Sequence, residues 1–179
     1  MEKINAIKIS TIGANLEKIG DFLYHEGPLL SLFKDKSHID NYYFYKWADC
    51  NEFCNRWIVF SVSTELLRGF LFQELSLRQL LLKNSYVFLL DIDDQLNQEQ
   101  CLVASVDDLP DSYLPSVPSF YKPETYTELA GIFKHNLAKE SIHETLHHLV
   151  AEVEHIKKEQ NKELSLIHQL LHSYGISPA

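Results

Sequence analysis

Four of the six prolines in this 179-residue chain, Pro110, Pro115, Pro118 and Pro123, fall within one stretch, LPDSYLPSVPSFYKP. Proline removes a backbone donor and biases the residue before it toward extended conformations. No regular element runs through such a stretch, so it reads as a linker or a strap laid over a surface. The pattern before it is strand-like and the pattern after it is helical. The chain therefore divides into a sheet domain over 1–109, a proline-rich segment over 110–123 and a helical region over 124–179.

In the first part, IGDFLYHEG, PLLSLFKD, NYYFYKWADC and RWIVFSVS are short runs of aromatic and β-branched residues. SHIDN and CNEFCN separate some of them as turns. STELLRGFLFQELSLRQLLLKN then switches to helical spacing, and Ser76-Leu77-Arg78-Gln79 matches a capping box that starts a second short helix. SYVFLLDID and QCLVASV restore strand character around a polar DQLNQE turn. Sequential hairpins with one helical insertion predict an α+β fold, a mainly antiparallel sheet with short helices packed on one face.

The strand NYYFYKW is apolar on both sides. Tyr43, Tyr45 and Trp47 point one way, and Tyr42 and Phe44 the other. A sheet covered on one side alternates with polar residues, so a second cover is expected here: the proline segment, the C-terminal helices or another subunit. The plainer outcome is an internal core. The sharper one is an aromatic partner-binding patch on Tyr43, Tyr45 and Trp47.

Residues 15–121 carry a set of segments in a particular order: Glu26-Gly27-Pro28-Leu29-Leu30, YKWAD at Tyr45–Asp49, WIVFSVS at Trp57–Ser63, LSLRQLL at Leu75–Leu81 and DDLPDSYLP at Asp107–Pro115. In these the chain resembles an uncharacterised family of small bacterial α+β proteins, a domain of unknown function. The family has no assigned activity. The resemblance implies a bacterial, non-secreted accessory protein and carries over no catalytic residue.

The net charge of -9 argues against nucleic acid or an anionic membrane as partner, since both require a positive footprint. An acidic surface steers instead toward basic proteins. The three cysteines, Cys50, Cys54 and Cys101, form neither a zinc-ribbon nor a redox spacing, and idle thiols in a reducing compartment are expected. The N-terminal residues lack a signal-peptide h-region, and no apolar run reaches membrane-span length. The expected location is cytoplasmic.

After Pro123, Thr125-Tyr126-Thr127-Glu128 matches a capping box. Leu146, Leu149, Val150, Val153, Ile156, Leu164, Ile167, Leu171 and Tyr174 then recur at helical spacing, with an interruption near Gln160, and Gly175 and Pro178 are a stop signal. Unbroken, this would be a helix on the order of 75 Å long, too long to pack on a domain of this size. It either folds back as a helical hairpin near KKEQNKE or pairs with a second chain. Two or three helices covering the sheet are the alternative. Leu146, Val150, Val153, Leu164, Ile167 and Leu171 are its candidate partner-binding residues, and self-association as a homo-oligomer is one expected use.

Seven of the nine histidines lie in this region. His143-Glu144-Thr145-Leu146-His147 spells the H-E-x-x-H pattern, in which two imidazoles one turn apart hold zinc and the glutamate activates the bound water. The metal reading assigns His143 and His147 as ligands, His168 as a third ligand and Glu144 as the catalytic base. Against it, Ser141-Ile142-His143-Glu144 is itself a capping box, which explains Glu144 without metal. In addition, His168 lies about 30 Å from His147 on a straight helix. Asp91 and Asp93 share a face near a hairpin tip and are a candidate cation pair, but Leu96 stands where a calcium loop needs glycine. A solvated turn accounts for both. No nucleotide-binding loop or nucleophile elbow occurs. The reading favoured is a non-enzymatic interaction protein, an acidic bacterial accessory, regulatory or immunity-like subunit without cofactor. The alternative is a zinc metallohydrolase using HETLH. Small-ligand binding among Tyr43, Tyr45, Trp47 and Trp57 is a third possibility.

Overall fold

The computed structural model describes residues 1–12, 15–38 and 40–173, with side chains at all of these except 141, 144, 156, 160, 161 and 163–173. The chain forms two compact units, Met1–His135 and Asn136–Ala179. The first is built on a seven-stranded antiparallel sheet. Its strands are β1 (Ala6–Ile9), β2 (Leu16–Tyr24), β3 (Pro28–Asp35), β4 (Asn41–Cys50), β5 (Cys54–Ser63), β6 (Tyr86–Asp93) and β7 (Gln98–Ser105). Across the sheet the order is β1-β7-β6-β5-β4-β3-β2. Helices α1 (Thr64–Leu71) and α2 (Leu77–Leu82) fill the β5–β6 connection, and α3 spans Glu128–Ser173.

The run of hairpins is the one the sequence predicts. PLLSLFKD and NYYFYKWADC form β3 and β4 with the ends read from the pattern. Ser76 accepts from the Gln79 amide while the Gln79 side chain accepts from the Ser76 amide, so the predicted capping box forms. One strand was not anticipated. Four-residue β1 pairs with β7, placing Ala6 opposite Ala104.

Strand β1 lies at one edge of the sheet and β2 at the other, yet only six residues join them. Six strand spacings of a flat sheet separate its edges by about 29 Å. The seven residue steps from Ile9 to Leu16 reach at most about 25 Å. The sheet is therefore curled. Ile12, from this connection, packs with Ile9 against the buried cluster of Val59, Leu90 and Cys101 at the middle of the sheet. The face carrying these residues is accordingly the concave one. Tyr43, Tyr45 and Trp57 are half-buried against the same cluster.

The opposite face buries Phe22, Leu32, Phe44, Ile58, Phe60 and Leu89. Phe70 of α1 meets Phe44 edge-on, and Tyr121 of the proline segment meets Phe70. Tyr113 and Tyr121 are 1% and 2% exposed, so the proline segment is a strap belonging to the core and not a free linker. It is tied to α2, where the Leu77 and Arg78 amides donate to the Ser119 carbonyl and Oγ at 2.8 and 3.1 Å. The Arg78 guanidinium donates to the Pro115 carbonyl and pairs with Asp111.

Helix α3 starts against β2. The Thr127 amide donates to the Phe22 carbonyl at 2.9 Å, and Thr127 Oγ1 donates to the Asp21 carbonyl at 2.6 Å. Leu129 passes so close to Gly20 that a Cβ there would run into its Cδ2. Phe133 sets its ring edge-on to Phe22 and Tyr42. These contacts correct the Thr125 capping box, because helix begins at Glu128 and the Thr127 hydroxyl is spent on the sheet. Two further expectations fail on the helix itself. Its 46 residues are continuous, so there is no fold-back near KKEQNKE and no division into two or three helices. Ser141–Glu144 lies well inside it and caps no helix start.

Candidate functional site

The HETLH stretch sits in mid-helix, where i and i+4 residues stack on one face. His143 and His147 do meet. Their Nε2 atoms are 3.1 Å apart and their rings cross at 88° with centroids 4.4 Å apart. Both rings are exposed. One neutral imidazole donating to the other accounts for this distance. Among the described residues no group of three His, Cys, Asp or Glu side chains is placed to hold a metal ion. The side chains of Glu144 and His168 lie outside the described residues. The continuous backbone nevertheless separates positions 147 and 168 by 21 residues of helix, about 32 Å along its axis.

The same helix carries the apolar stripe. Ile142, Leu146, Leu149, Val150 and Val153 are each between 49% and 61% exposed, which is high for residues of this type. Ile142, Leu146, Leu149 and Val153 recur with spacings of four, three and four. Position 156, also isoleucine, continues the series at three. Such a four-three spacing is the one coiled-coil seams use, narrower than the stripe of a helix packed on a globular core. The candidate residues Leu164, Ile167 and Leu171 have side chains outside the described residues.

The aromatic residues of β4 divide between two settings. Tyr45 stacks on Phe33 with centroids 4.2 Å apart, and burial pushes its hydroxyl up to about 12. Tyr45, Trp57, Phe33 and Leu96 line a cleft of about 270 Å³ on the concave face. Tyr43 and Trp47 are outside this lining, and Trp47 donates its indole N–H to Asn55 Oδ1 at 3.1 Å. Much of this aromatic surface therefore serves the sheet's own packing.

Asp91 and Asp93 are both occupied. Asp91 forms a two-pronged pair with Arg56, with both N–H···O distances at 2.7 Å, and each side chain is under a tenth exposed. The Arg56 guanidinium also donates to the Glu2 carbonyl at 3.1 Å. Its pKa is raised, first by the Asp91 hydrogen bonds. The bulge after Trp47 puts Asp49 opposite Arg56, where Tyr113 donates its hydroxyl to Asp49 at 2.8 Å and lowers the Asp49 pKa. Asp93 accepts from the Gln95 and Asn97 amides at 2.9 and 2.7 Å, closing the β6–β7 hairpin as the turn reading requires. Burial raises the Cys54 and Cys101 thiols, so neither is an activated nucleophile.

Two groups escape the sequence reading. Arg56 pairs with a residue 35 positions away, which only strand register brings opposite it. Lys46 lies in the aromatic strand, and its parity with Tyr42 and Phe44 was the available signal that it turns inward. Its Nζ donates to the Trp47 carbonyl at 2.9 Å, and burial lowers its pKa to about 8.

No protein-family model, no curated protein and no solved structure matches this chain, so its function is argued from its own residues.

Proposed function

We propose that this is a protein–protein interaction protein whose α3 pairs with a second copy of the chain as a parallel coiled coil. The observation that carries the reading is the half-exposed row Ile142, Leu146, Leu149 and Val153 on an unbroken helix. Moving such side chains from half exposure to a dry seam stabilises by about 1 kcal/mol each. With Leu146 and Val153 at position a and Leu149 at d, Glu152 falls at g and Lys157 at e, both exposed. A parallel pair brings Glu152 of one copy to Lys157 of the other, twice per dimer. The same spacing next reaches Gln160 at an a position, where one polar residue fixes register. The resemblance of residues 15–121 adds the context of a bacterial accessory or regulatory subunit, and the free thiols suit a reducing cytoplasm.

Sedimentation equilibrium of the full chain tests this. A dimer is expected that Leu146→Asp combined with Val153→Asp converts to monomer. Glu152→Lys and Lys157→Glu each weaken it several-fold, and the two together restore it. A wild-type chain that stays monomeric at high micromolar concentration refutes the self-pairing. A double charge reversal that fails to rescue refutes the parallel orientation.

The zinc metallohydrolase reading has one contact in its favour, the 3.1 Å approach of His143 and His147. It needs a third ligand, and among the described residues none joins the pair.

A further inference from the structure

A cavity of about 300 Å³ lies under the proline strap, at the lower end of ligand-pocket volumes. Leu23, Leu77, Pro118, Phe120 and Tyr126 give it mostly apolar walls. Two lysines, Lys46 and Lys122, also line it, and no Asp or Glu does. In a chain with a net charge of -9, a recess with two cations and no acid is against the general trend. Among the described residues, neither lysine has a carboxylate within 4.0 Å, and the Lys46 ammonium is left with the Trp47 carbonyl. Lys46 is partly buried, and an ammonium group drawn away from water is ordinarily paired, whereas Lys122 is exposed. The walls are also held in place, because α2 fixes the strap through Ser119 and Pro115. A site prepared in this way loses little on binding to the ordering of its own parts.

We propose that this cavity binds a small organic carboxylate, with its anionic head between Lys46 and Lys122 and its apolar body against Leu77, Phe120 and Tyr126. The mostly apolar walls reward an anion that carries an organic body, and inorganic phosphate, which has none, gains only the charge contacts. The site belongs to the sheet unit and is independent of helix pairing. The other titratable residues lining the cavity are Lys122 and Tyr126. Burial pushes the Tyr126 hydroxyl up to about 12, so it stays neutral across the useful pH range. A bound anion favours the charged form of Lys46, and binding therefore strengthens as pH falls from 9.5 to 7 and draws in a proton near pH 8.

Calorimetric titration of the full chain with benzoate is the test. Saturable binding is expected at pH 7, at least tenfold weaker at pH 9.5, lost in Lys46→Met and weakened in Lys122→Met. Benzyl alcohol, the uncharged match, does not bind, and inorganic phosphate does not compete. The wild-type pH comparison stands even where a variant folds poorly. The proposal is overturned by absence of saturation at high millimolar benzoate. Equal affinity at the two pH values, unchanged affinity in Lys46→Met, or equal competition by phosphate overturns it as well.

Discussion

Replacing Lys46 by methionine keeps the length of the side chain and removes its charge. Burial is the cause of the lowered Lys46 pKa, a fall from 10.5 to about 8. Each tenfold change in proton affinity is about 1.4 kcal/mol, so the charged amine destabilises the fold by about 3 kcal/mol. Losing the hydrogen bond to the Trp47 carbonyl gives back about 1 kcal/mol. At pH 7 the variant is therefore expected to be about 2 kcal/mol more stable than wild type. The sign with pH follows from proton counts. Below pH 8 lysine is charged in both folded and unfolded chains, and the full penalty is present. Between about 8 and 10.5 the unfolded chain binds more protons, so wild-type stability rises with pH relative to the variant. Above 10.5 the penalty has gone and the variant is the less stable by the lost hydrogen bond. Urea unfolding of both proteins at pH 6, 7, 9 and 10.5 reads this directly, because all other titrations cancel in the difference. A difference that stays constant from pH 7 to 10.5 would falsify the desolvation argument.

Two further outcomes follow from other sites. Asp91→Ala leaves the Arg56 guanidinium buried without its ion pair, beside only the neutral Glu2 carbonyl and Tyr113 hydroxyl, and a loss of about 3–5 kcal/mol is expected in denaturant unfolding. Arg56→Met combined with Asp91→Leu costs far less, and equal losses in single and double variants would refute the buried-charge account. Protein purified without a nickel column is expected to carry substoichiometric zinc by elemental analysis. One zinc per chain that disappears in His143→Ala would instead revive the hydrolase reading.

Strands β3 and β4 were legible because their aromatic and β-branched runs end at turn formers, and local signals suffice there. Ser76 and Gln79 were legible for the same reason, three residues apart with the helix beginning between them. Thr125–Glu128 and Ser141–Glu144 match the same pattern without forming the expected box, because helix begins only at Glu128, where the Thr127 hydroxyl bonds β2, and position 141 is already helical. Strand β1 was missed because four residues with little burial leave almost no periodic signal, and its pairing is decided by β7. The Arg56–Asp91 pair and the cavity beside Lys46 depend on strand register and on where the strap crosses, which no window of sequence contains. The histidine spacing was correctly read as two rings on one face. What it could not supply was a third ligand.

The pairing of β1 with β7 has a consequence for biogenesis. Ala6 finds its partner only at Ala104, so β1 idles on the ribosome until the strands from β2 to β7 have been made. Contacts between such distant positions are slow to form, and this makes the docking of β1 the natural candidate for the sheet's last folding event. An amino-terminal fusion large enough to hinder that docking should leave the exposed rim of β7 open to pairing with other chains.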